Sequence, residues 1–304
     1  MVNFFKQFLV AGIFLLICLF MLRWSSGDTV AEMKEEISTL FELPQMVKAP
    51  KIEAQYTFAG EEVPMNVDTR ERLERELLTN SYYHTATTWA LKMHKRYFPL
   101  IEKVLKENGV PEDFKYLAVA ESNLMNATSS AGAKGVWQFM TPTAKEFGMR
   151  VDEEVDERYH IEKSTEAAAK YLKQLKNMTG SWVNAAAAYN AGPGRLRSSQ
   201  SAQKQNSYFD LHMNEETSRY VFRIMAIREI MSNPSRYGYQ LDEGDYYQPY
   251  DQVKKVVVDQ TKSNLADFAK AQGTTYRMLR YYNPWIIGDK LTVVNKSYTL
   301  TLPQ

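Results

Sequence analysis

One cysteine, four histidines and a formal net charge of +1 in 304 residues set the first limits on this chain. Cys18 lies in the N-terminal apolar run, so no disulfide and no cysteine-based metal site can form in the rest. His84, His94, His160 and His212 are scattered without the spacing of a ligand pair, and no metal is expected. A balanced charge with no basic run gives no electrostatic case for nucleic acid. Long hydrophobic runs are also scarce. The one present, Phe8–Leu22, has fifteen residues, between a signal-peptide core and the roughly 20 of a spanning helix. Lys6 precedes it and Arg23 follows. Residues 1–24 are read as an export signal or uncleaved membrane anchor, which places the remainder outside the cytoplasmic membrane, on the periplasmic side of the cell envelope.

What is present is mostly helical pattern. Residues 25–67, with prolines at 44 and 50, read as a linker with a short helix near Thr29–Phe41. From Asp68, apolar residues recur at helical spacing: TRERLERELL, then ATTWALKMHKRYFPLIEKVLKENG ending on Gly109, then a restart at Val110-Pro111-Glu112-Asp113. A further helix is expected from an N-cap at Ser164 to Gly180. SWVNAAAAYNAGPGRL and ETSRYVFRIMAIREIMSNP follow, stopped by Gly-Pro-Gly and by Pro234. Residues 68–236 therefore read as an all-α domain. After the turn-rich GYQLDEGDYYQPYDQ, residues 250–304 carry a β-branched run, two short helical pieces and the alternating SYTLTLP, a βααβ unit.

One carboxylate is out of place. On a helix, PEDFKYLAVAESNL puts Phe114, Leu117, Ala118, Glu121 and Met125 on one face, so Glu121 occupies a core position. A carboxyl in apolar surroundings has a raised pKa and can act as a general acid near neutrality; a solvated glutamate at a helix end is the alternative. The small-residue loop SSAGAKG, the aromatic and amide of VWQFM, and Tyr189-Asn190 at the end of an alanine-rich helix supply the groups that hold sugars. Nineteen tyrosines and five tryptophans are compatible with stacking on sugar, but plain core packing is the favoured reading.

Four ordered motifs carry a resemblance: Glu121-Ser122, Gly135-Val136-Trp137-Gln138, Ala188-Tyr189-Asn190-Ala191-Gly192 and Glu216-Thr217-Ser218-Arg219-Tyr220-Val221. With YFPLIEKVLKENGVPEDFKYLAVAES and DERYHIEKSTEAAAKYL, they make residues 68–235 similar to the lytic transglycosylases of bacterial cell walls, whose catalytic domain has a lysozyme-like, SLT-type fold. The chain departs from that family at Phe222, Met213-Asn214 and His160-Ile161, where proline, Leu-Pro and Asp-Pro are usual. The resemblance implies cleavage of the β-1,4 bond between N-acetylmuramic acid and N-acetylglucosamine, with 1,6-anhydromuramoyl ends and no cofactor. Glu121 would be the single acid and base. Tyr189 would orient its carboxyl, Ser130, Gln138 and Asn190 would hold sugar amides and hydroxyls, and Met140, Glu216 and Tyr220 would line the cleft; Trp137 is read as core. The interval Ser122–Lys145 holds no second acid, consistent with one carboxylate where ordinary glycosidases use two. Residues 250–304 resemble a LysM domain, which binds N-acetylglucosamine polymers, although Thr261–Leu265 replace the usual Gly-Asp-Thr-Leu. A goose-type lysozyme-like hydrolase and a non-catalytic peptidoglycan-binding protein remain as other readings.

Overall fold

The computed structural model describes residues 49–294 and 296–304. The expected anchor (1–24) and the helix near Thr29–Phe41 lie outside the described residues. Helices begin and end where the sequence supplies caps. In α1 (Val67–Tyr82) the Asn66 side chain accepts from Thr69 N–H at 3.0 Å, and Leu73 and Leu77 face the core. Helix α2 (His84–Glu107) is followed by Gly109 at φ +65°, a left-handed turn that lets Val110 N–H return to Leu105 O at 2.9 Å. A 3-10 turn at Glu112–Phe114 leads into α3 (Lys115–Ser122).

Helix α3 is shorter than its apolar pattern suggests. Asn123 and Leu124 both take left-handed backbone, at φ 51° and 59°, and end it just past Glu121. Two consecutive non-glycine residues in that region cost on the order of 1 kcal/mol each or more. The turn moves Met125 off the helix face assigned from the pattern, and its side chain is exposed.

After α4 (Thr141–Glu146), α5 (Ile161–Thr179) starts three residues before the expected Ser164 cap and ends on Gly180 at φ +84°. Ser181 caps α6 (Trp182–Ala191) by accepting from Asn184 N–H at 3.0 Å. Ala185–Ala188 are fully buried, so this slender helix can run through the centre of the domain against α5. Helix α7 (Pro193–Gln203) follows at once, and α8 (Glu215–Ser232) packs across α1, α3 and α6. All of this agrees with a mainly α, lysozyme-like domain.

Residues 56–63 differ from the linker expected there. Strands β1 (Tyr56–Phe58) and β2 (Glu61–Val63) form a hairpin through Ala59 and Gly60, both at positive φ. Phe58 is fully buried edge-on to Phe114 at 5.5 Å, and the Glu61 carboxylate accepts from the N–H groups of Trp182 and Val183, where the N-terminal dipole of α6 favours an anion. Three-residue strands carry too little alternation to be read from sequence.

At the C-terminal end, β3 (Val253–Val258) pairs antiparallel with β4 (Tyr298–Pro303), Val253 opposite Pro303 and Val258 opposite Tyr298. Helices α9 (Leu265–Ala271) and α10 (Tyr276–Tyr282) close the βααβ unit over Leu265, Leu279, Leu300 and Leu302. This module shares its core with the helical part: Val155 is buried within it. Asp156 N–H donates to Trp285 O at 2.8 Å and Ile287 N–H to Glu154 O at 2.8 Å. A Cβ on Gly288 would lie 2.9 Å from Glu154 Cα, so the close approach requires glycine there. Residues 49–304 pack as a single unit.

Candidate active site

Three helices deliver the central groups. Glu121 sits in the last turn of α3, Tyr189 near the end of α6 and Tyr220 in the second turn of α8. The Tyr220 hydroxyl donates a short hydrogen bond to Glu121 Oε1. Tyr189, expected from the resemblance to orient that carboxyl, instead donates to Trp137 O at 2.8 Å. It therefore holds the loop facing the carboxyl, and Tyr220 is the direct partner. Glu121 is partly buried, and its carboxyl is closely surrounded by protein.

The facing loop is built to be rigid. Ser122, beside Glu121, donates to Val136 O at 2.9 Å and ties α3 to it. Trp137 is fully buried, as read from the sequence, and donates to Thr165 Oγ1 at 2.9 Å. Gly135 stands at φ +81°, and a Cβ there would lie 1.9 Å from Arg158 O, so no other residue fits. Arg158 is itself buried. It makes a bidentate pair with Asp156 at 2.8 and 2.7 Å and donates to Phe139 O at 3.1 Å.

Electrostatics set the state of the carboxyl. Burial pushes the Glu121 pKa up to about 7, against smaller downward pulls from the Tyr220 hydroxyl and the Arg223 charge. Glu216 adds a small upward push. Burial, then the nearby Glu121 charge, lifts Tyr220 and Tyr189 well above the usual phenol value, so both remain hydrogen-bond donors. Arg223 is engaged by Glu216 at 3.0 and 3.2 Å, and it lies 3.7 Å from Glu76, a carboxylate with no solvent exposure that also pairs with Arg219.

The remaining expected residues fall as follows. Gln138, at φ +50°, turns its amide back on its own loop, donating to Gly135 O at 2.8 Å and Ala127 O at 3.2 Å. Asn190 accepts from Thr217 Oγ1 at 2.9 Å, while its amide nitrogen makes no hydrogen bond among the described residues. Ser130 and Met140 are exposed, and Glu216 is exposed on the first turn of α8. Sequence reasoning gave no role to Ser122 and Arg219, although both stand in its motifs, and missed Asp156, Arg158, Glu76 and Arg223. The acid and base pair within DERYH was a visible signal for two of them. No cluster of three or more His, Cys, Asp or Glu suited to a metal ion occurs among the described residues.

The helical domain thus presents a partly buried carboxyl of raised pKa beside a clamped loop. Residues 98–211 match the family model of the transglycosylase SLT domain, and residues 254–304 match that of the soluble lytic transglycosylase C-terminal LysM-like domain. The chain thus carries an SLT transglycosylase domain followed by a LysM-like domain. It is 28% identical over 255 residues to membrane-bound lytic murein transglycosylase D of Escherichia coli strain K12, covering 81% of this chain and 55% of that protein. It is 35% identical over 135 residues to peptidoglycan transglycosylase gp16 of Escherichia phage T7, covering 43% of this chain and 10% of that one. The chain therefore spans about half the length of the first of these relatives, and a small fraction of the second. Among solved structures, an inactive mutant of the lytic transglycosylase Slt from Pseudomonas aeruginosa matches at 22% identity and a TM-score of 0.36, over 50% of this chain and 26% of that one.

Proposed function

We propose that this chain is a peptidoglycan lytic transglycosylase in which Glu121 is the single catalytic acid and base. The observation that carries the reading is the Glu121 carboxyl: held by Tyr220, its pKa raised to about 7 by burial, on a residue that keeps partial solvent exposure. Such a group is protonated at neutral pH often enough to give its proton to the glycosidic oxygen as the C1–O bond breaks. The carboxylate then takes the proton of the muramoyl 6-hydroxyl while O6 bonds to C1. Glu121 ends protonated again, the product carries a 1,6-anhydro ring, and no water is consumed. The Tyr220 hydroxyl stabilises the carboxylate stage between these transfers.

The unspent amide nitrogen of Asn190 and the exposed Ser130, Met140 and Glu216 suit contacts with sugar, while the buried Tyr220 acts through the Glu121 carboxyl. Because Gln138 spends its side-chain amide hydrogens on Ala127 and Gly135, we assign it to shaping the loop, with only its amide oxygen left to accept from a sugar. We assign residues 68–236 to catalysis and 250–304 to the LysM-like module. The E. coli relative's name includes "membrane-bound", and we propose likewise that residues 1–24 export this chain and hold it to the membrane, with peptidoglycan glycan strands as substrate.

The test is digestion of purified peptidoglycan followed by mass measurement of the muropeptides. Anhydromuramoyl ends, lighter by one water than reducing ends, are expected. Reducing ends would make the protein a hydrolase of the goose-lysozyme kind. Retention on glycan strands without any cleavage would make it a binding protein.

A further inference from the structure

A second cleft, of about 950 Å³, lies between the helical domain and the C-terminal module, and Glu121, Tyr189 and Tyr220 are not among its lining residues. It begins where α3 stops, at Leu124, Met125 and Asn126, so it adjoins the catalytic region. Its size is that of a site for a small ligand. Trp89 and Tyr247, 5.7 Å apart, form one aromatic wall, and Tyr250 with Tyr282, 4.8 Å apart, form another.

Charge is what singles the cleft out. Arg96, Lys255 and Arg280 line it, and each has only neutral companions. Arg96 donates to Gln248 O at 3.1 Å and lies over the Tyr250 ring at 4.6 Å. Lys255 donates to Thr301 Oγ1 at 2.7 Å, and Arg280 donates to the Tyr276 hydroxyl at 2.7 Å. Among the described residues, none of the three has a carboxylate within ion-pair distance, and the lining contains a single acid, Glu162. Elsewhere on this chain arginines are commonly paired, as at Arg158, Arg219 and Arg228. Two nitrogens of lining residues, Trp89 Nε1 and His160 Nδ1, also have no hydrogen-bond partner among the described residues, an uncommon condition for buried polar atoms.

We infer that this cleft is a second, non-catalytic site for the peptide-bearing repeat of peptidoglycan, with sugar rings on the aromatic walls and the peptide carboxylates on Arg96, Lys255 and Arg280. The inference rests on the function proposed above for its choice of ligand. Flat aromatic faces hold sugar rings through their C–H edges, and unpaired guanidinium groups favour carboxylates. A strand held here would be kept beside α3 between cleavage events.

The experiment is calorimetric titration of the full chain with the disaccharide–tetrapeptide repeat, which lacks the scissile bond, and with the same disaccharide without peptide. The peptide-bearing form is expected to bind at least about ten-fold more tightly. Combining Arg96→Ala, Lys255→Ala and Arg280→Ala should remove that advantage, while Arg96→Lys with Arg280→Lys should keep most of it. Equal binding of the two ligands, an unchanged affinity of the triple variant, or an equal loss in the lysine variant would each overturn the inference. Release of anhydro ends from peptide-free strands reads the Glu121 chemistry separately: the triple variant should match wild type there. If wild type itself releases none, the proposed function fails, and the titration still decides whether the cleft binds.

Discussion

Helix α8 presents two neighbouring regions to the core, and each receives a glutamate from another helix, one fully and one partly buried. Toward α1 it sends Arg219 and Arg223, which form ion pairs with Glu76, a side chain with no solvent exposure. Toward α3, at the very next position after Arg219, it sends Tyr220 to Glu121. A guanidinium fixes a carboxylate in its charged form. A phenol stabilises the charge while leaving protonation possible, because it brings no opposite charge of its own. The same helix thus makes one glutamate structural and leaves the other free to exchange protons. Arg223 reaches toward both, but Glu216 and Glu76 engage it, so its pull on Glu121 is partial.

The largest effect that separates the two regions is on rate. Glu121→Gln should lower release of anhydro muropeptides by about 10³-fold or more, in the upper part of the range for loss of a general acid and base. The fold should survive. An acid with a raised pKa weakens the folded state as pH rises from the unfolded value through about 7, so the glutamine variant should equal wild type at pH 4 and exceed it by about 3 kcal/mol at pH 8. Denaturant unfolding at the two pH values checks this.

Glu76→Gln should do the reverse. It leaves Arg219 with only the exposed Glu215, 3.6 Å away, and removes one of the two partners of Arg223, costing about 3 kcal/mol of stability, while turnover measured well below the unfolding temperature stays within about three-fold of wild type. A collapse of activity with unchanged stability would merge the two regions into one.

These contrasts were partly legible in the sequence. Glu121 could be found because local periodicity places it among Leu117, Ala118 and Phe114; the core role of Trp137 came instead with the resemblance, in which the neighbouring Gln138 faces sugar. The partner of Glu121 could not: Tyr220 and the partly buried Tyr189 are both tyrosines in recognisable motifs, and which one reaches a carboxyl 99 positions away from Tyr220 depends on how α8 crosses α3. The left-handed pair Asn123 and Leu124 gives no compositional warning, which is why Met125 was assigned to the wrong surface. Gln138 was read as a sugar ligand because its type suits one, whereas the turn at Gly135 directs its amide inward. The hairpin at residues 56–63 escaped because its strands are three residues long and its contacts, to Phe114 and the start of α6, are far away in sequence.

A smaller change sharpens the comparison. Tyr220→Phe removes a hydrogen bond that favours the charged form of Glu121, so the carboxyl pKa should rise by about one unit. Since the leaving oxygen must receive a proton, activity falls as pH increases through that pKa, and the alkaline limb of the rate profile should move upward by the same amount. The rate on the plateau below pH 6 should drop by no more than about ten-fold. A downward movement of the limb would mean that another group controls it.

The most direct measurement is a carboxyl-carbon NMR titration of the protein labelled at glutamate, with Glu121 assigned by its disappearance in Glu121→Gln. A midpoint near 7 is predicted for that resonance. A midpoint in the ordinary carboxylate range, near 4 to 5, would contradict the account, because a group already ionised at neutral pH has no proton to give the leaving sugar.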